Sequence, residues 1–160
     1  MVRTDNMDIY TVSLFGNRHI ENASEIEKRL EIILKDIIMN KEYVEFLIGR
    51  EGDFDILASS VIKRIISKND YGNTHFVLVL PYMKAEYRDN KEYYLDYYDE
   101  VEICSKSETA HPKSAIQIRN RNIVDRSDLV ICCIQYDSGG AYRTMQYAIR
   151  QKKNVINIAE

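Results

Sequence analysis

The chain has 160 residues, 45% of them hydrophobic, which is enough for one domain (residues 1–160) whose core needs no disulfide or metal. Its formal net charge is −3 with basic and acidic residues interleaved, so the sequence lacks the basic stripe of a general nucleic-acid binder. It also lacks an apolar run of membrane-span length, an apolar signal core and zinc-like cysteine spacing. These properties predict a cytoplasmic protein that binds neither a metal nor a membrane, and they argue against nucleic acid as a partner. Residues 1–8 are expected to form a flexible N-terminus.

The first half of the chain reads as strand, helix, strand, helix, strand. Continuous apolar runs, typical of strands covered on both faces, alternate with stretches whose apolar residues recur at helical spacing. Asn22 or Ser24 is the predicted cap of the first helix, and Glu27 completes a capping box with Ser24. The predicted elements are strands at 9–15, 43–48 and 75–80, a helix with an apolar stripe at 30–38, and a helix from about 55 to 68.

The second half continues this alternation after an acidic, tyrosine-rich stretch at residues 83–99. Five tyrosines there predict a helix with aromatic anchors, used for core packing or for a homo-oligomer interface. A polar loop is predicted at 105–112. The remaining predicted elements are strands at 101–103, 129–134 and 155–158, and helices at about 114–126 and 140–151.

Six strands alternating with four or five helices predict an α/β fold of the Rossmann-like, doubly wound type. Right-handed crossovers then give a mostly parallel sheet with helices on both faces. In such sheets ligands bind beyond the carboxyl ends of the strands, where the strand order reverses. Several glycine-bearing turns of this sequence follow a predicted strand, so we expect them to meet at that edge.

The segment Ser138-Gly139-Gly140 joins a predicted strand to a helix and is the first candidate site. Glycines at such a turn let backbone N–H groups approach an anion, and the helix N-terminus adds about half a positive charge. Thr144 is expected to add a hydroxyl one turn into the helix. The segment predicts phosphate or ribose binding, and a simple tight turn is the alternative.

Glycines and carboxylates also follow the second strand. Gly49 and Gly52 lie in the predicted turn, and Asp53 and Asp55 lie at the start of the next helix. Carboxylates are favoured there by the helix dipole, so capping is one interpretation. The other is that Asp53 or Asp55 binds ribose hydroxyls.

Basic residues with a place at the same edge come from two further segments. Gly16 and Arg18 follow the first strand, where Arg18 or the next residue is expected to line the cleft. One helix face is expected to carry Arg119, Asn122 and Arg126. An arginine on that face is expected either to clamp a phosphate or to form salt bridges with the acidic segment. The sequence contains no Walker lysine, no G-x-G-x-x-G fingerprint and no Ser-His-Asp order, which argues against an ordinary NTPase, dehydrogenase or serine hydrolase.

The ordered set of motifs resembles the SLOG superfamily, and within it the YpsA-like group of bacterial proteins. The resemblance runs from about residue 9 to 158 and rests on the segments 15–18, 49–58, 80–82 and 119–128 and on the glycine pair with its threonine. It implies a Rossmann-like fold that binds a nucleotide or a nucleotide-derived ligand. The expected contacts are Gly16, Arg18, Gly49, Gly52, Asp55, Pro81, Arg119, Ser138, Gly139, Gly140 and Thr144.

Members of this superfamily differ in what they do with the ligand. Some hydrolyse the N-glycosidic bond of nucleoside monophosphates, others are ligand sensors, and one branch binds single-stranded DNA. The hydrolases use an arginine, matched here by Arg119, and a glutamate in a Gly-Gly-x-Gly-Thr-x-x-Glu motif. That position holds Gln146, or Tyr147 when Thr144 is aligned, and neither an amide nor a phenol replaces a carboxylate well in such chemistry.

Three hypotheses follow. The first is a binding or sensing module for a nucleotide-derived small molecule, with no resident cofactor. The second is a nucleotide-processing enzyme, an N-glycosidic hydrolase or transferase, with Asp53, Asp55 or Glu51 supplying the carboxylate and Arg119 assisting. The third is binding of single-stranded nucleic acid through the tyrosine-rich stretch, which its acidic residues disfavour.

Overall fold

The chain folds around one six-stranded sheet in which every pair of neighbouring strands is parallel. A computed structural model describes residues 7–68 and 71–160, so most of the N-terminus expected to be flexible lies outside the described residues. The strands are β1 (Ile9–Gly16), β2 (Tyr43–Ile48), β3 (Thr74–Leu80), β4 (Glu100–Ile103), β5 (Leu129–Cys133) and β6 (Asn154–Asn157). Their order is β4-β3-β2-β1-β5-β6.

Helices cover both faces of this sheet. They are α1 (Ala23–Asn40), α2 (Asp53–Lys68), α3 (Ala85–Asp89), α4 (Lys91–Tyr97), α5 (Pro112–Asp125) and α6 (Gly140–Arg150). The chain winds outward from β1 to β4, and α5 then carries it back to β5 on the other side of β1. This is the predicted doubly wound Rossmann-like fold. None of the described helices is long and apolar enough to cross a bilayer.

Two apolar layers separate the sheet from its helices. Alternate residues along each central strand point to opposite faces. On one face Val12, Phe46 and Leu78 pack with α1 and α2. On the other face Val130 and Cys132 pack against α6. The three cysteines are buried and form no disulfide.

Three local expectations are wrong in detail. Asn22 caps α1 with a left-handed backbone but makes no side-chain cap bond, and Glu27 pairs with Arg64 instead of closing a capping box. The tyrosine-rich stretch forms two short helices, because Asn90 leaves helical geometry and its amide donates to the Glu86 carbonyl at 2.8 Å. The helix expected from about residue 114 begins at Pro112, where the ring nitrogen of the preceding histidine accepts a cap bond.

The buried side chains of the tyrosine-rich stretch explain its composition. Tyr87, Tyr94 and Tyr98 lie in the core, and the Tyr98 ring packs at a tilt against Phe76 of β3, with 5.0 Å between the ring centroids. Tyr93 is the exposed member. The stretch therefore closes the β3–β4 end of the sheet, and core packing accounts for most of its tyrosines.

Candidate ligand cleft

A large cleft lies at the carboxyl ends of β1, β2 and β5, where the strand order reverses. Its volume is about 480 Å³. The chain leaves β1 toward α1 on one face and leaves β5 toward α6 on the other, so the two connections diverge and open a crevice. The cleft is lined by residues 14–19, by the β2–α2 turn, by one face of α5 and by the turn that starts α6.

The turn before α6 has a backbone that only glycine adopts readily. Gly139 caps the helix with φ 94° and ψ 179°, and it lines the cleft together with Ser138 and Gly140. The first N–H groups of a helix have no acceptor within the helix. The cleft therefore receives the N-terminus of α6, which suits an anion.

Cationic side chains surround this turn. Arg18, Lys113 and Arg143 line the cleft and are exposed. Within residues 7–68 and 71–160 none of the three makes an ion pair, whereas His19 lies 3.6 Å from Asp53. Four cationic side chains and two carboxyl groups line the cleft of a chain whose formal net charge is −3. The cleft is thus positively charged on a protein that is negative overall.

Arg119 forms part of the cleft wall and is only 2% exposed. Its Nε donates to Asn120 at 2.9 Å, its Nη1 donates to the Val79 carbonyl at 2.6 Å, and its Nη2 donates to Glu51. All three nitrogens are therefore engaged within the protein. Arg119 holds the β2–α2 turn to α5 and β3, and its charge is matched by Glu51 rather than left for a ligand.

Asp55 lies beside this pair as a second, unmatched carboxyl group. It is 8% exposed, and its Oδ2 accepts the Glu51 backbone N–H at 2.8 Å. Its Oδ1 has no hydrogen-bond partner among the described residues, and the side chain lines the cleft. Asp55 thus lines the cleft with one carboxyl oxygen that no described residue bonds.

The pKa values of the two carboxyl groups are shifted in opposite directions. Burial and the charge of Glu51 together raise the pKa of Asp55 to about 7, against the opposing effects of the Glu51 N–H and of Arg119 and Lys84. Burial also acts to raise the pKa of Glu51, but the charge and hydrogen bond of Arg119 outweigh it and leave that pKa below its usual value. At neutral pH the Glu51–Arg119 pair is ionised, while Asp55 is divided between its neutral and ionised forms.

Thr144 does not face the ligand space, contrary to the sequence-based expectation. Its hydroxyl is fully buried, donates to the Gly140 carbonyl at 2.9 Å, and accepts from Gln117 at 3.0 Å and from Asn120 at 3.2 Å. Gln117 also donates to the Gly140 carbonyl at 3.0 Å. These bonds fasten the start of α6 to α5, so Thr144 shapes the glycine turn from behind.

Two more expected ligand contacts lie outside the cleft. Gly52 packs against the Arg18 backbone, where an added Cβ would come within 2.6 Å of the Arg18 Cα. Pro81 accepts a hydrogen bond from the buried Ser107 hydroxyl at 2.6 Å. Both residues fix the loops that surround the cleft rather than line it.

The glycines that do line the cleft also differ in role. An added Cβ at Gly16 would lie 2.6 Å from the Phe54 ring, and one at Gly49 would lie 3.0 Å from the Arg119 guanidinium. Gly139 and Gly140 have no such neighbour within 3.5 Å. The first two glycines therefore permit close packing, and the α6 pair leaves open space.

The face predicted for Arg119, Asn122 and Arg126 is divided in the structure. Arg126 lies just past the end of α5, pairs with Glu102 at 2.6 Å and contacts Asn122 at 3.2 Å, away from the cleft. Only Arg119 reaches the cleft. The alternative of salt bridging therefore describes both arginines, although the partners are Glu51 and Glu102.

The two residues that the resemblance aligns with a catalytic glutamate also lie outside the cleft. Gln146 is exposed and donates to the Tyr142 hydroxyl at 2.9 Å, and Tyr147 donates to Asp125 at 2.7 Å. Neither residue lines the cleft. The acidic groups that the cleft does contain are Glu51 and Asp55, both of which were among the sequence candidates.

Several lining residues were not assigned a role from the sequence. Asn17 binds the β5–α6 connection through its Oδ1, which accepts from the Gln135 N–H at 2.6 Å. Tyr136 stands at the mouth, 44% exposed. Lys113 and Gln117 come from the start of α5, and Arg143 from α6. Lys113 and Gln117 reach the cleft because of the way α5 packs against the sheet edge, and no local sequence pattern indicates this packing.

The fold and the cleft define a Rossmann-like α/β protein with a positively charged crevice at its switch point. Within residues 7–68 and 71–160 no group of three or more His, Cys, Asp or Glu residues is placed to hold a metal ion. No protein-family model matches the chain, and no curated protein matches its sequence.

Two solved structures share this fold. DNA processing protein A (DprA) from Streptococcus pneumoniae aligns with a TM-score of 0.63 at 15% identity, over 92% of this chain and 49% of that chain. The protein of the same name from Helicobacter pylori, described for its single-stranded DNA binding mode, aligns with a TM-score of 0.60 at 16% identity, over 91% and 63%. This chain spans less than two thirds of either neighbour, and the likeness is one of fold.

Proposed function

We propose that the cleft binds a nucleotide or a nucleotide-derived small molecule through its phosphate. The observation that carries the proposal is the N-terminus of α6, opened by Gly139 and surrounded by Arg18, Lys113 and Arg143, none of which pairs with a carboxylate among the described residues. Unpaired cations in a concave site attract anions, and helix N–H groups orient a phosphate. A volume of about 480 Å³ suits a ligand of nucleotide size.

The order of motifs supports placing the chain in the SLOG superfamily, near its YpsA-like group, and binding rather than hydrolysis as the activity. Gln146 occupies the glutamate position and points away from the cleft. Arg119, the matched catalytic arginine, is engaged by Glu51. These placements support a site that binds a phosphate at its cationic edge and that lacks a glutamate at the position used by the hydrolases.

The test is a thermal-shift screen with AMP, ADP, ADP-ribose and cyclic nucleotides. A ligand at 100 times its Kd is expected to raise Tm by roughly 5–10 °C, because binding to the folded state alone adds about 2.7 kcal/mol. The proposal fails if no nucleotide moves the Tm of the wild-type protein.

Gly140→Asp is the decisive variant. An added Cβ there meets its nearest neighbour, the Gln117 amide, at 3.6 Å, and a carboxylate in the first helical turn is favoured by the dipole. The variant should fold normally yet lose the nucleotide-induced shift, because its charge takes the place of the phosphate. Arg143→Ala should weaken the shift, and Arg150→Ala, in the last turn of the same helix, should leave it unchanged.

Binding of single-stranded DNA is the second candidate, favoured by the fold shared with the DprA of Helicobacter pylori. A strand would use the same cationic edge, so the screen includes a short oligonucleotide at moderate salt. Gly140→Asp should abolish oligonucleotide binding too if the phosphates occupy the cleft. Release of free base from AMP, lost in Asp55→Asn, would instead assign the cleft to hydrolysis.

A further inference from the structure

The inner end of the cleft contains one more carboxyl group than its buried cation can match. Arg119 gives one nitrogen each to Asn120, the Val79 carbonyl and Glu51. Glu51 in turn accepts from Arg119 and from the Arg50 N–H at 2.6 Å, so both of its oxygens are engaged. The ion pair is complete without Asp55.

Asp55 is therefore a buried acid whose neutral form is favoured by burial and by the charge of Glu51, against the Glu51 N–H, Arg119 and Lys84. Its Oδ2 is fixed by the Glu51 N–H at 2.8 Å, while its Oδ1 has no partner among the described residues and the side chain lines the cleft. A carboxylate that is 92% buried and has no cation of its own is costly. A neutral Asp55 places its proton on Oδ1, the oxygen that faces the ligand.

We propose that Asp55 binds the ligand as a neutral carboxylic acid that donates a hydrogen bond from Oδ1, so that nucleotide binding takes up a proton. This rests on the proposed function, and it replaces the expected contact between an ionised Asp55 and a ribose diol. An anionic ligand in the cleft adds negative charge near a carboxyl that already faces Glu51. Both charges favour the protonated acid, and the acid in turn supplies a donor to a phosphate or base acceptor.

Other charged or titratable groups face Asp55 from the elements packed around it. Glu51 precedes it, Arg119 comes from α5, Lys84 from the turn before α3, and Tyr98 from the end of α4. Arg119 and Lys84 oppose protonation, but burial and Glu51 outweigh them. From the segment that follows β1, Arg18 and His19 line the same cleft.

Calorimetric titration with ADP-ribose at pH 6 and pH 8 tests the proposal, because the charge of its diphosphate is constant over that range. If binding raises the pKa of Asp55 by about one pH unit, affinity should be about fivefold weaker at pH 8 than at pH 6. At pH 7, titrations in buffers of different ionisation enthalpy should report uptake of about 0.4 proton. His19→Gln should keep this dependence.

Asp55→Asn should bind equally at both pH values, with the affinity of the wild-type protein at pH 6. Its amide reproduces the neutral acid, since the oxygen accepts from the Glu51 N–H and the nitrogen donates into the cleft. Asp53→Asn removes an exposed carboxylate two residues away and should leave the wild-type pH dependence in place.

Two results overturn the inference while leaving the proposed function intact. One is wild-type affinity that is constant or rises from pH 6 to pH 8, as an ionised Asp55 holding a ribose would produce. The other is a carbon-13 NMR titration of the unliganded protein in which the Asp55 carboxyl titrates below pH 5. Absence of binding at both pH values by ADP-ribose and by every nucleotide of the thermal-shift screen would contradict the inference and the proposed function together.

Discussion

Asp55 destabilises the folded protein at neutral pH because its ionised form is buried without a cation. Its pKa rises from an unfolded value near 3.9 to about 7 on folding. The folded state therefore binds the proton more tightly, and the associated stability is complete below about pH 4 and is lost as pH rises to about 7. Such a cost is typical of a functional carboxyl.

We expect Asp55→Asn to match the wild-type protein in unfolding free energy at pH 4 and to exceed it at pH 8. Linkage sets an upper limit of about 4 kcal/mol on the gain, from about 1.4 kcal/mol per pH unit. Urea unfolding at both pH values measures it, with Asp53→Asn as the exposed control. A variant less stable than the wild type at pH 8 would mean that ionised Asp55 has a stabilising partner.

Arg119 and Arg126 both pair with a glutamate, but Arg119 is buried and Arg126 is partly exposed. Arg119→Ala leaves Glu51 buried without its cation and the Val79 carbonyl without its donor, so we expect a loss of about 3–5 kcal/mol. Arg126→Ala removes a half-exposed pair with Glu102 and should cost about 1 kcal/mol or less. Chemical denaturation of both variants measures the contrast, and equal losses would contradict the assignment of Arg119 to a buried network.

The sequence identified the chemistry of these residues better than their partners. Asp55 and Arg119 were selected because a helix start and an arginine near a sheet edge suit a ligand. The pairing of Arg119 with Glu51 joins residues 68 positions apart and depends on how α5 packs, which no local pattern encodes. The same reason explains Thr144, which faces α5 although its spacing from the glycine pair suggested the ligand.

At the scale of elements, the β5–α6 turn depends on one backbone conformation. Gly139 has φ 94° with no atom within 4 Å of an added Cβ, so a substitution there is strained by conformation alone. We expect Gly139→Ala to cost about 1–3 kcal/mol and to weaken nucleotide binding, because the N-terminus of α6 must shift.

Gly140→Ala is the matched control for that variant. Gly140 is the first helical residue of α6, and its added Cβ has only ordinary contacts. It should be neutral or slightly stabilising, since alanine favours a helix. Thermal unfolding of the pair separates the two positions. Equal destabilisation would show that space, rather than the positive φ of Gly139, limits this turn.

The elements themselves followed from the sequence wherever hydrophobic periodicity was long. All six strands and the long helices lie where apolar runs and helical spacing predicted them. The tyrosine-rich stretch is the exception, because a single predicted helix became α3 and α4 on either side of Asn90. Its break depends on a side-chain bond to Glu86, and the periodicity of the tyrosines does not reveal it.

For the whole molecule, the order β4-β3-β2-β1-β5-β6 places the switch point between β1 and β5. The sequence predicts the type of sheet but not this particular strand order, since alternating strands and helices give a doubly wound parallel sheet. It brings Arg18, Lys113 and Arg143 from three separate segments to one edge. A net charge of −3 therefore conceals a local positive cleft, which composition alone does not show.

The central claim, that the N-terminus of α6 holds the phosphate of a nucleotide, is tested most directly by nitrogen-15 NMR during titration with AMP. The account predicts that the largest saturable amide shifts fall on Gly139, Gly140 and Ala141, with smaller shifts at Arg18, and that Gly140→Asp abolishes them. Absence of saturable shifts in this turn, or shifts centred on the exposed tyrosine side of α4, would contradict it.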